Sequence, residues 1–196
     1  MTTAMIFSGD GLFFGICIHL SSEFDIIGQR IQNLISQEIV QSTSDRNFSP
    51  ETNTMIYEKL REIVIDHEKL IKLCKKMSRS FSTNVLLHYI SAALITGICC
   101  LMIMLAEGAD KTVFITYIGA STTQVFVYSY GGQMLAASSS KMQEHAYNFE
   151  WYKCDKKVRK LIQMIMIRTQ KRTAVEVPFF QVSLETFISV SKISFV

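Results

Sequence analysis

The chain has 196 residues, of which 48% are hydrophobic and 19% charged, and its formal net charge is +3. That positive charge is too small and too scattered to argue for nucleic acid, which is not expected as a partner. The hydrophobic residues occur in long blocks instead of the spread expected in a soluble domain. The five cysteines form no Cys-x-x-Cys pair, which argues against a zinc or disulfide framework and favours reduced thiols.

The first apolar block covers residues 4–20 and has the length of a short or incomplete membrane span. A signal peptide is the alternative, but no Lys or Arg precedes the block and no small-residue cleavage pattern follows it. Apolar residues then continue at spacings of three and four, at Phe24, Ile27, Ile31, Leu34 and Ile35. This spacing predicts that residues 1–40 are the end of a transmembrane helix that continues into water as an amphipathic helix.

A cytoplasmic loop and amphipathic helix are predicted for residues 41–82. Ser49-Pro50-Glu51 is a helix start, with Ser as the N-cap, Pro at the first helical position and an acid in the first turn. No Gly or Pro follows before Gly97, so this helix is expected to run nearly unbroken into the next apolar block. His67 lies on the apolar face and is interpreted as a packed histidine, since no partner at metal-ligand spacing is near it.

Two transmembrane helices are predicted at 83–106 and 113–137. The segments 85–106 and 113–137 contain no acid, Lys or Arg, and each is long enough to cross a hydrocarbon layer of about 30 Å. Two buried core helices of a soluble protein are the alternative, but such helices seldom run beyond about 20 residues without a charged face. Residues 107–112 form the connecting loop.

The distribution of basic residues predicts the orientation of these spans. Seven Lys and Arg residues fall between positions 55 and 82 and nine between 138 and 178, whereas the loop at 107–112 contains only Lys111. By the positive-inside rule the two flanks are cytoplasmic and the loop is extracellular. The glycosylation sequence Asn47-Phe48-Ser49 is therefore expected to stay unmodified.

The last two segments are a cytoplasmic anchor segment at 138–178 and a truncated last transmembrane helix at 179–196. In the anchor segment, apolar residues share one helical face. Because the segment lies in the aqueous phase, protein must cover this face, and we expect a neighbouring subunit to do so, with two aromatic residues adding to the contact. The anchor residues are Tyr147, Trp151, Val158, Leu161, Ile162, Ile165 and Met166. The basic residues on its other faces are expected to stay solvated or to meet lipid headgroups, and a helix lying on the inner leaflet is the alternative. For 179–196 the alternative is a surface helix.

No catalytic pattern is present, neither Gly-x-Ser-x-Gly nor His-Glu-x-x-His nor a phosphate-binding loop, so an enzyme is not expected. The four histidines share no metal-ligand spacing, and neither a metal nor another cofactor is predicted. The span at 113–137 is rich in Thr, Ser, Gln and Tyr, which must face other helices or a cavity, plain interhelical hydrogen bonding being the alternative. Glu185 and Lys192 give a stronger indication of a bundle interior, because ionisable groups within a span usually face protein or water. For Lys192 the alternative is that its long side chain reaches the membrane–water interface.

An ordered set of residues lies between Gly131 and Val196. The set comprises Ala146-Tyr147, Trp151, Arg159-Lys160, Arg168, Gln170-Lys171, Ser183-Leu184-Glu185-Thr186-Phe187, Lys192 and Ser194. It resembles the C-terminal block of insect odorant receptors. Asp10 and His67 match that family more loosely, so the resemblance extends weakly over the rest of the chain.

The resemblance implies an all-α fold, a polytopic membrane bundle of seven helices with long cytoplasmic helices and an extracellular C-terminus. This agrees with the orientation derived from the basic residues. On that numbering, the end of the fourth span lies in residues 1–40. The fifth span is 83–106, the sixth is 113–137 and the truncated seventh is 179–196. The chain is then expected to be a C-terminal fragment that lacks the first three spans and the residues after Val196.

The resemblance also implies a function. Such receptors are odour-gated, non-selective cation channels in the cell membrane of olfactory sensory neurons, and they work as tetramers with a common co-receptor. Their seventh helices line the pore, which here assigns Glu185, Phe187 and Lys192 to the pore helix. A small volatile odorant would bind in an apolar pocket partly walled by the outer half of the sixth helix. The residues expected to line that pocket are Thr116, Tyr117, Ala120, Thr123 and Gln124.

Three other functions stay open at this point. A G-protein-coupled receptor would need the opposite orientation, with the loop at 107–112 in the cytoplasm. A gustatory receptor of the same superfamily has its distinguishing signature in residues that would follow Val196. A transporter is the third alternative, but the sequence contains no internal repeat and no broken helix that would mark a midplane site.

Overall fold

The computed structural model describes residues 2–34, 48–105, 107–108, 110–178 and 180–194. The predicted all-α fold class is confirmed, because five helices account for nearly all of these residues and the only sheet within them is one short hairpin. The elements are α1 (Thr2–Asn33), α2 (Pro50–Leu105), α3 (Asp110–Asn148), a 3-10 turn (Trp151–Lys153), α4 (Lys156–Gln170), β1 (Glu176–Val177), β2 (Phe180–Gln181) and α5 (Leu184–Ser194).

Helix α2 begins where the sequence predicts. The Ser49 hydroxyl accepts a hydrogen bond from the backbone N–H of Thr52 at 3.2 Å, and Pro50 occupies the first helical position. The helix then runs unbroken through 56 residues to Leu105, since no residue before Gly97 disfavours it. Asn47, which belongs to the possible glycosylation site, lies outside the described residues.

Helix α3 is longer at both ends than the span predicted at 113–137. It begins at Asp110, inside the predicted loop, where an acid in the first turn favours a helix N-terminus. Gly108, with φ of 66°, supplies the left-handed residue of the turn that precedes it. The helix ends at Asn148, so the first part of the anchor segment is a continuation of α3, because no Gly or Pro lies between Gly132 and Asn148.

The chain divides into two compact units. Unit 1 comprises Met1–Ile18, Lys75–Met134 and Ala174–Val196. Its core contains Phe13, whose ring lies edge-on to Phe81 with centroids 5.4 Å apart and also contacts Tyr128. A Cβ on Gly131 would come within 3.2 Å of the Phe14 ring, so glycine at this position lets α1 and α3 pack closely.

Unit 2 comprises His19–Cys74 and Leu135–Thr173. Helix α1 contributes an apolar face at the predicted spacing, with Leu20, Phe24, Ile27 and Ile31 all buried. Helix α4 begins at an N-cap, Asp155, whose side chain accepts a hydrogen bond from the N–H of Lys156.

The segment after α4 differs from the prediction. The sequence predicts a helix re-entering from Phe179, but β1 and β2 form an antiparallel hairpin in which Glu176 pairs with Gln181 and Val177 with Phe180. Helix α5 begins only at Leu184, with the Ser183 hydroxyl accepting from the N–H of Thr186. The physical reason is local, because Val175 and Val177, which favour extended backbone, precede Pro178, which cannot continue a helix.

Two helices within the described residues are long and apolar enough to cross a membrane, Gly9–Asn33 of α1 and Pro50–Leu105. Helix α3 is not among them, because its hydroxyl and amide side chains lower its hydropathy. Apolar residues at spacings of three and four along one side of α2 are exposed: Leu87, Ile90, Leu94, Ile98 and Leu101. This pattern is typical of a helix whose outer side faces lipid.

Candidate functional site

A polar cluster in unit 1 is centred on the carboxylate of Asp10. The Gln124 side-chain amide donates to Asp10 Oδ2 at 2.6 Å, and the hydroxyl of Tyr128 donates to Asp10 Oδ1. Nε2 of His88 lies 3.6 Å from the same Oδ1, and the His88 ring stacks on Tyr128 with centroids 5.3 Å apart. One carboxylate of α1 is thus held by groups from both α2 and α3.

The amide of Gln124 also lies close to His88. Its nitrogen is 3.3 Å from His88 Nδ1 in addition to its hydrogen bond with Asp10. An amide N–H₂ can only donate, so this contact is a hydrogen bond in the tautomer whose ring proton is on Nε2, the nitrogen that faces Asp10.

The cluster lies far from the turn that joins α2 and α3. Gln124 is 14 residues from Asp110 at the start of α3, and His88 is 17 residues from Leu105 at the end of α2. At 1.5 Å per residue, these separations correspond to about 20 to 25 Å along the helices. On the predicted spans, which place this turn at the membrane surface, the cluster lies within a hydrocarbon layer of about 30 Å, where ionisable side chains mark functional sites or interhelical contacts.

The five residues predicted to bind a ligand share one side of α3. Their helical positions span about one third of the circumference. Four of them are exposed in this chain: Thr116, Tyr117, Ala120 and Thr123. The two threonine hydroxyls donate to backbone carbonyls of α3 itself, at 2.8 Å each, so they present mainly their methyl groups. Gln124 is half-buried, and its amide is already bonded within the Asp10 cluster.

The three residues predicted for the pore helix, Glu185, Phe187 and Lys192, lie on α5. Phe187 meets Phe126 of α3 edge-on with centroids 5.7 Å apart, whereas Glu185 and Lys192 are exposed. Phe180 packs on Tyr89 of α2, whose hydroxyl is hydrogen-bonded to Ser129 of α3 at 2.6 Å. The start of α5 therefore rests on side chains from α2 and α3.

The hairpin is also fixed through its backbone. The Ser78 hydroxyl donates to the carbonyl of Glu176 at 3.1 Å and accepts from the N–H of Glu176 at 2.9 Å. A Cβ on Gly132 would lie 2.5 Å from the carbonyl oxygen of Val182, so only glycine admits this approach. Helices α2 and α3 thus each hold the segment that leads into α5.

The predicted anchor face of α4 lies in unit 2. Val158, Ile162 and Ile165 are buried, and Leu161 and Met166 are half-buried at the edges of the same face. The sequence predicts that a neighbouring subunit buries this face, but the chain itself already covers Val158, Ile162 and Ile165. The outer side of α4 instead carries Met164 and Ile167, which are 57% and 67% exposed. Of the preceding aromatics, Tyr147 is 66% exposed and Trp151 is half-buried.

The entrance to α4 is tied to the start of α2. The Asn53 side-chain oxygen accepts from the N–H of Asp155 at 2.9 Å, and its amide nitrogen donates to the carbonyl of Phe48. The N–H of Phe48 in turn donates to the carbonyl of Lys153 at 3.3 Å. These hydrogen bonds position the first turn of α4. They join residues that are far apart in the sequence, so the spacing of residues could not have predicted them.

His67 is packed as predicted, with its ring edge-on to Phe24 and almost no exposure. Burial, reinforced by the positive charge of Arg168, lowers the pKa of His67 below its usual value. Burial likewise raises the pKa of the Cys74 thiol to about 12 and that of Cys154 to about 11. Both thiols are therefore protonated at neutral pH and are poor nucleophiles.

Sequence reasoning missed that Asp10, His88 and Tyr128 lie together. The available signal was one carboxylate within an apolar run together with Gln124 and Tyr128, which are four residues apart and share a helix face. No sequence pattern singled out His88, because the four histidines share no common spacing. Its role depends on contacts with Asp10 and Gln124, which are distant in sequence.

Comparison with known proteins gives a consistent result over the whole chain. The family model described as 7tm Odorant receptor matches residues 1–195. Odorant receptor 22c of Drosophila melanogaster is 34% identical over 182 residues, which are 92% of this chain and 45% of that receptor. Odorant receptor 10a of the same organism is 28% identical over 195 residues, covering 98% of this chain and 47% of its own length.

Solved structures show the same fold. The insect olfactory receptor OR5 from Machilis hrabei matches with a TM-score of 0.78 at 19% identity, over 98% of this chain and 48% of that receptor. Its complex with eugenol matches with a TM-score of 0.73 at 17% identity. This chain spans about half the length of the relatives it matches. Since the family model covers almost every residue, the chain belongs to the odorant receptor family.

Proposed function

We propose that the protein to which this chain belongs is a subunit of an odour-gated, non-selective cation channel. It works with a co-receptor in a tetramer in the cell membrane of olfactory sensory neurons, and it is not an enzyme. The observation that carries this proposal is the match of the odorant receptor family model to residues 1–195.

The odorant binds against the exposed side of α3 near its Asp110 end. Two observations support this assignment. Large side chains are exposed there, Tyr117 by 60% and Val113 by 52%, and an exposed apolar surface of this kind is typical of a binding site or an interface. The Machilis hrabei receptor was solved with eugenol, a small phenol, which indicates the size of ligand that this fold accepts.

Helix α5 contributes to the pore, with Glu185, Phe187 and Lys192 as pore-helix residues. The contact between Phe187 and Phe126 supports a direct mechanical link, because Phe126 lies on the same helix as the proposed odorant-binding residues. A shift of α3 upon odorant binding would thereby move the start of α5. Packed interfaces respond to such shifts by switching between arrangements.

Assembly occurs through the outer side of α4 in the cytoplasm. The face with Val158 and Ile162 stabilises the chain itself, so the subunit contact falls to the exposed Met164 and Ile167 and to Tyr147 and Trp151 beside them. Two large apolar side chains exposed on an otherwise basic helix are a costly surface in water. Contact with a second subunit removes them from water, while the neighbouring lysines meet solvent or lipid headgroups.

The test uses a full-length receptor containing this chain, expressed with its co-receptor in a cell without other odorant receptors. Odour-evoked cation current is expected from the pair. Tyr117→Ala is expected to change the rank order of odorants more than it changes surface expression. Ile115→Ala, an equally exposed position on the opposite side of α3, serves as the matched control. An unaltered odour profile after substitution of all five proposed binding residues would exclude α3 as the binding site.

A further inference from the structure

The Asp10 carboxylate has an unused acceptor position. An ionised carboxylate offers about four lone-pair positions, two on each oxygen. Oδ1 accepts from Tyr128, and Nε2 of His88 lies 3.6 Å from the same oxygen. Oδ2 accepts from Gln124, and no other donor to it is found among the described side chains. One lone pair of Oδ2 is thus available.

No Lys or Arg occurs in the helix segments around the cluster. The neighbouring segments 85–106 and 113–137 contain neither residue. The Tyr128 hydroxyl and the Gln124 amide are neutral donors to Asp10. An additional donor would therefore stabilise the carboxylate within the bundle.

This available position adjoins the proposed odorant-binding side of α3. Gln124 lies at the edge of that side, one helical turn from Ala120, and it bonds directly to Asp10 Oδ2. The cluster is not sealed, since the side chain of Asp10 retains 12% of its exposure and that of His88 retains 24%. A small molecule lying along Tyr117 and Ala120 would reach the cluster with its polar end.

We propose that Asp10 determines odorant class by accepting a hydrogen bond from the ligand, so that the receptor selects alcohols, phenols and amines over ethers and esters of the same size. This inference rests on the proposed function as an odour-gated channel. A site built around a buried acceptor discriminates strongly against a ligand that cannot donate, because the acceptor then stays unpaired.

The contrasting explanation is that the cluster only holds three helices together. Interhelical hydrogen bonds between polar side chains serve this purpose in membrane bundles. The two explanations predict different effects for changes at Asp10 and Tyr128. A purely structural lock weakens the response to every odorant equally, whereas a binding site changes the ratio between donors and non-donors.

The experiment measures odour-evoked current in the full-length receptor with its co-receptor. The probes are straight-chain primary alcohols and the isomeric methyl ethers, each made from the alcohol one carbon shorter, together with phenols and primary amines. In the unmodified receptor we expect the alcohols to be the more potent. Asp10→Asn, which keeps the shape but replaces an acceptor with a donor, is expected to raise the half-maximal concentration for alcohols about tenfold or more while that for ethers holds or falls.

Tyr128→Phe is a second variant, and its effect on the alcohol-to-ether potency ratio is expected to be opposite to that of Asp10→Asn. It removes one donor from Oδ1 and so leaves a further acceptor position for a ligand. The alcohol-to-ether potency ratio is expected to hold or rise, even if surface expression declines. Tyr89→Phe is the matched control, because it also removes a hydroxyl that joins α2 to α3, at a position bonded to Ser129 and not to Asp10. This control is expected to leave the ratio unchanged.

Several results would overturn the proposal. Equal changes for alcohols and ethers in Asp10→Asn would show a structural lock, as would a fall in the ratio in Tyr128→Phe. An unmodified receptor that responds equally to ethers and alcohols, or only to ligands that lack a donor, would also contradict it. A receptor that no odorant opens would contradict the channel function instead, and thermal stabilisation of the purified receptor by each alcohol and ether would then still test Asp10.

Discussion

Removal of the Ser78 hydroxyl isolates the contribution of the hairpin to the position of α5. Ser78 is 7% exposed, and its hydroxyl satisfies both the N–H and the carbonyl of Glu176. Ser78→Ala therefore breaks two hydrogen bonds at once, each worth about 0.5 to 1.5 kcal/mol. Because the Glu176 side of the hairpin is exposed, water replaces part of this loss, so we expect a total of about 1 to 2 kcal/mol.

This free energy corresponds to about a fivefold to thirtyfold change in the local opening equilibrium. The assay is amide hydrogen exchange of the purified full-length receptor in detergent, followed for the peptide that contains residues 174–183. Its protection should fall by that factor, while peptides from the remainder of α2 stay protected. The current evoked by a saturating odorant should fall as well, because the start of α5 loses one of its supports.

Ser82→Ala is the matched control. Ser82 lies one turn further along α2, and its hydroxyl donates only to the carbonyl of Arg79 in the same helix. Its removal should leave exchange in residues 174–183 unchanged. The reasoning is refuted if Ser78→Ala also leaves that exchange unchanged, or if both variants loosen the hairpin to the same degree.

Three further predictions concern the cytoplasmic side. Asn47 should remain unglycosylated in expressed full-length receptor. A gel shift upon glycosidase treatment would contradict the predicted orientation of the spans. His67 has a lowered pKa, so the unfolded state binds its proton first as the pH falls; stability should be complete above about pH 6.5 and decrease below it. Thermal midpoints at about pH 7.5 and about pH 5.5 should show a smaller difference in His67→Gln, and equal differences would exclude His67 as the cause. Ile167→Glu should abolish co-purification with the co-receptor. Gln163→Glu, which adds the same charge on the same side of α4, should not. Intact tetramers in Ile167→Glu would contradict a subunit contact at this position.

The sequence alone determined the helical elements, because their signals are local. The start of α2 at Pro50 depends on residues adjacent in the chain, and the buried faces of α1 and α4 follow from a spacing of three and four residues. The membrane character of the chain likewise follows from long apolar runs without charge. The family resemblance was carried by an ordered set of residues near the C-terminus, and the family model then matched the entire chain.

The tertiary structure decided which distant residues meet. Asp10 is bonded to Gln124 and Tyr128, which are 114 and 118 positions away, and Ser78 is bonded to Glu176, 98 positions away. No periodicity encodes such pairs, since they depend on how helices cross and on their relative depth. The same reason explains the anchor: the spacing identified the apolar face of α4, but only the packed chain shows that Ile162 is covered from within while Ile167 remains exposed.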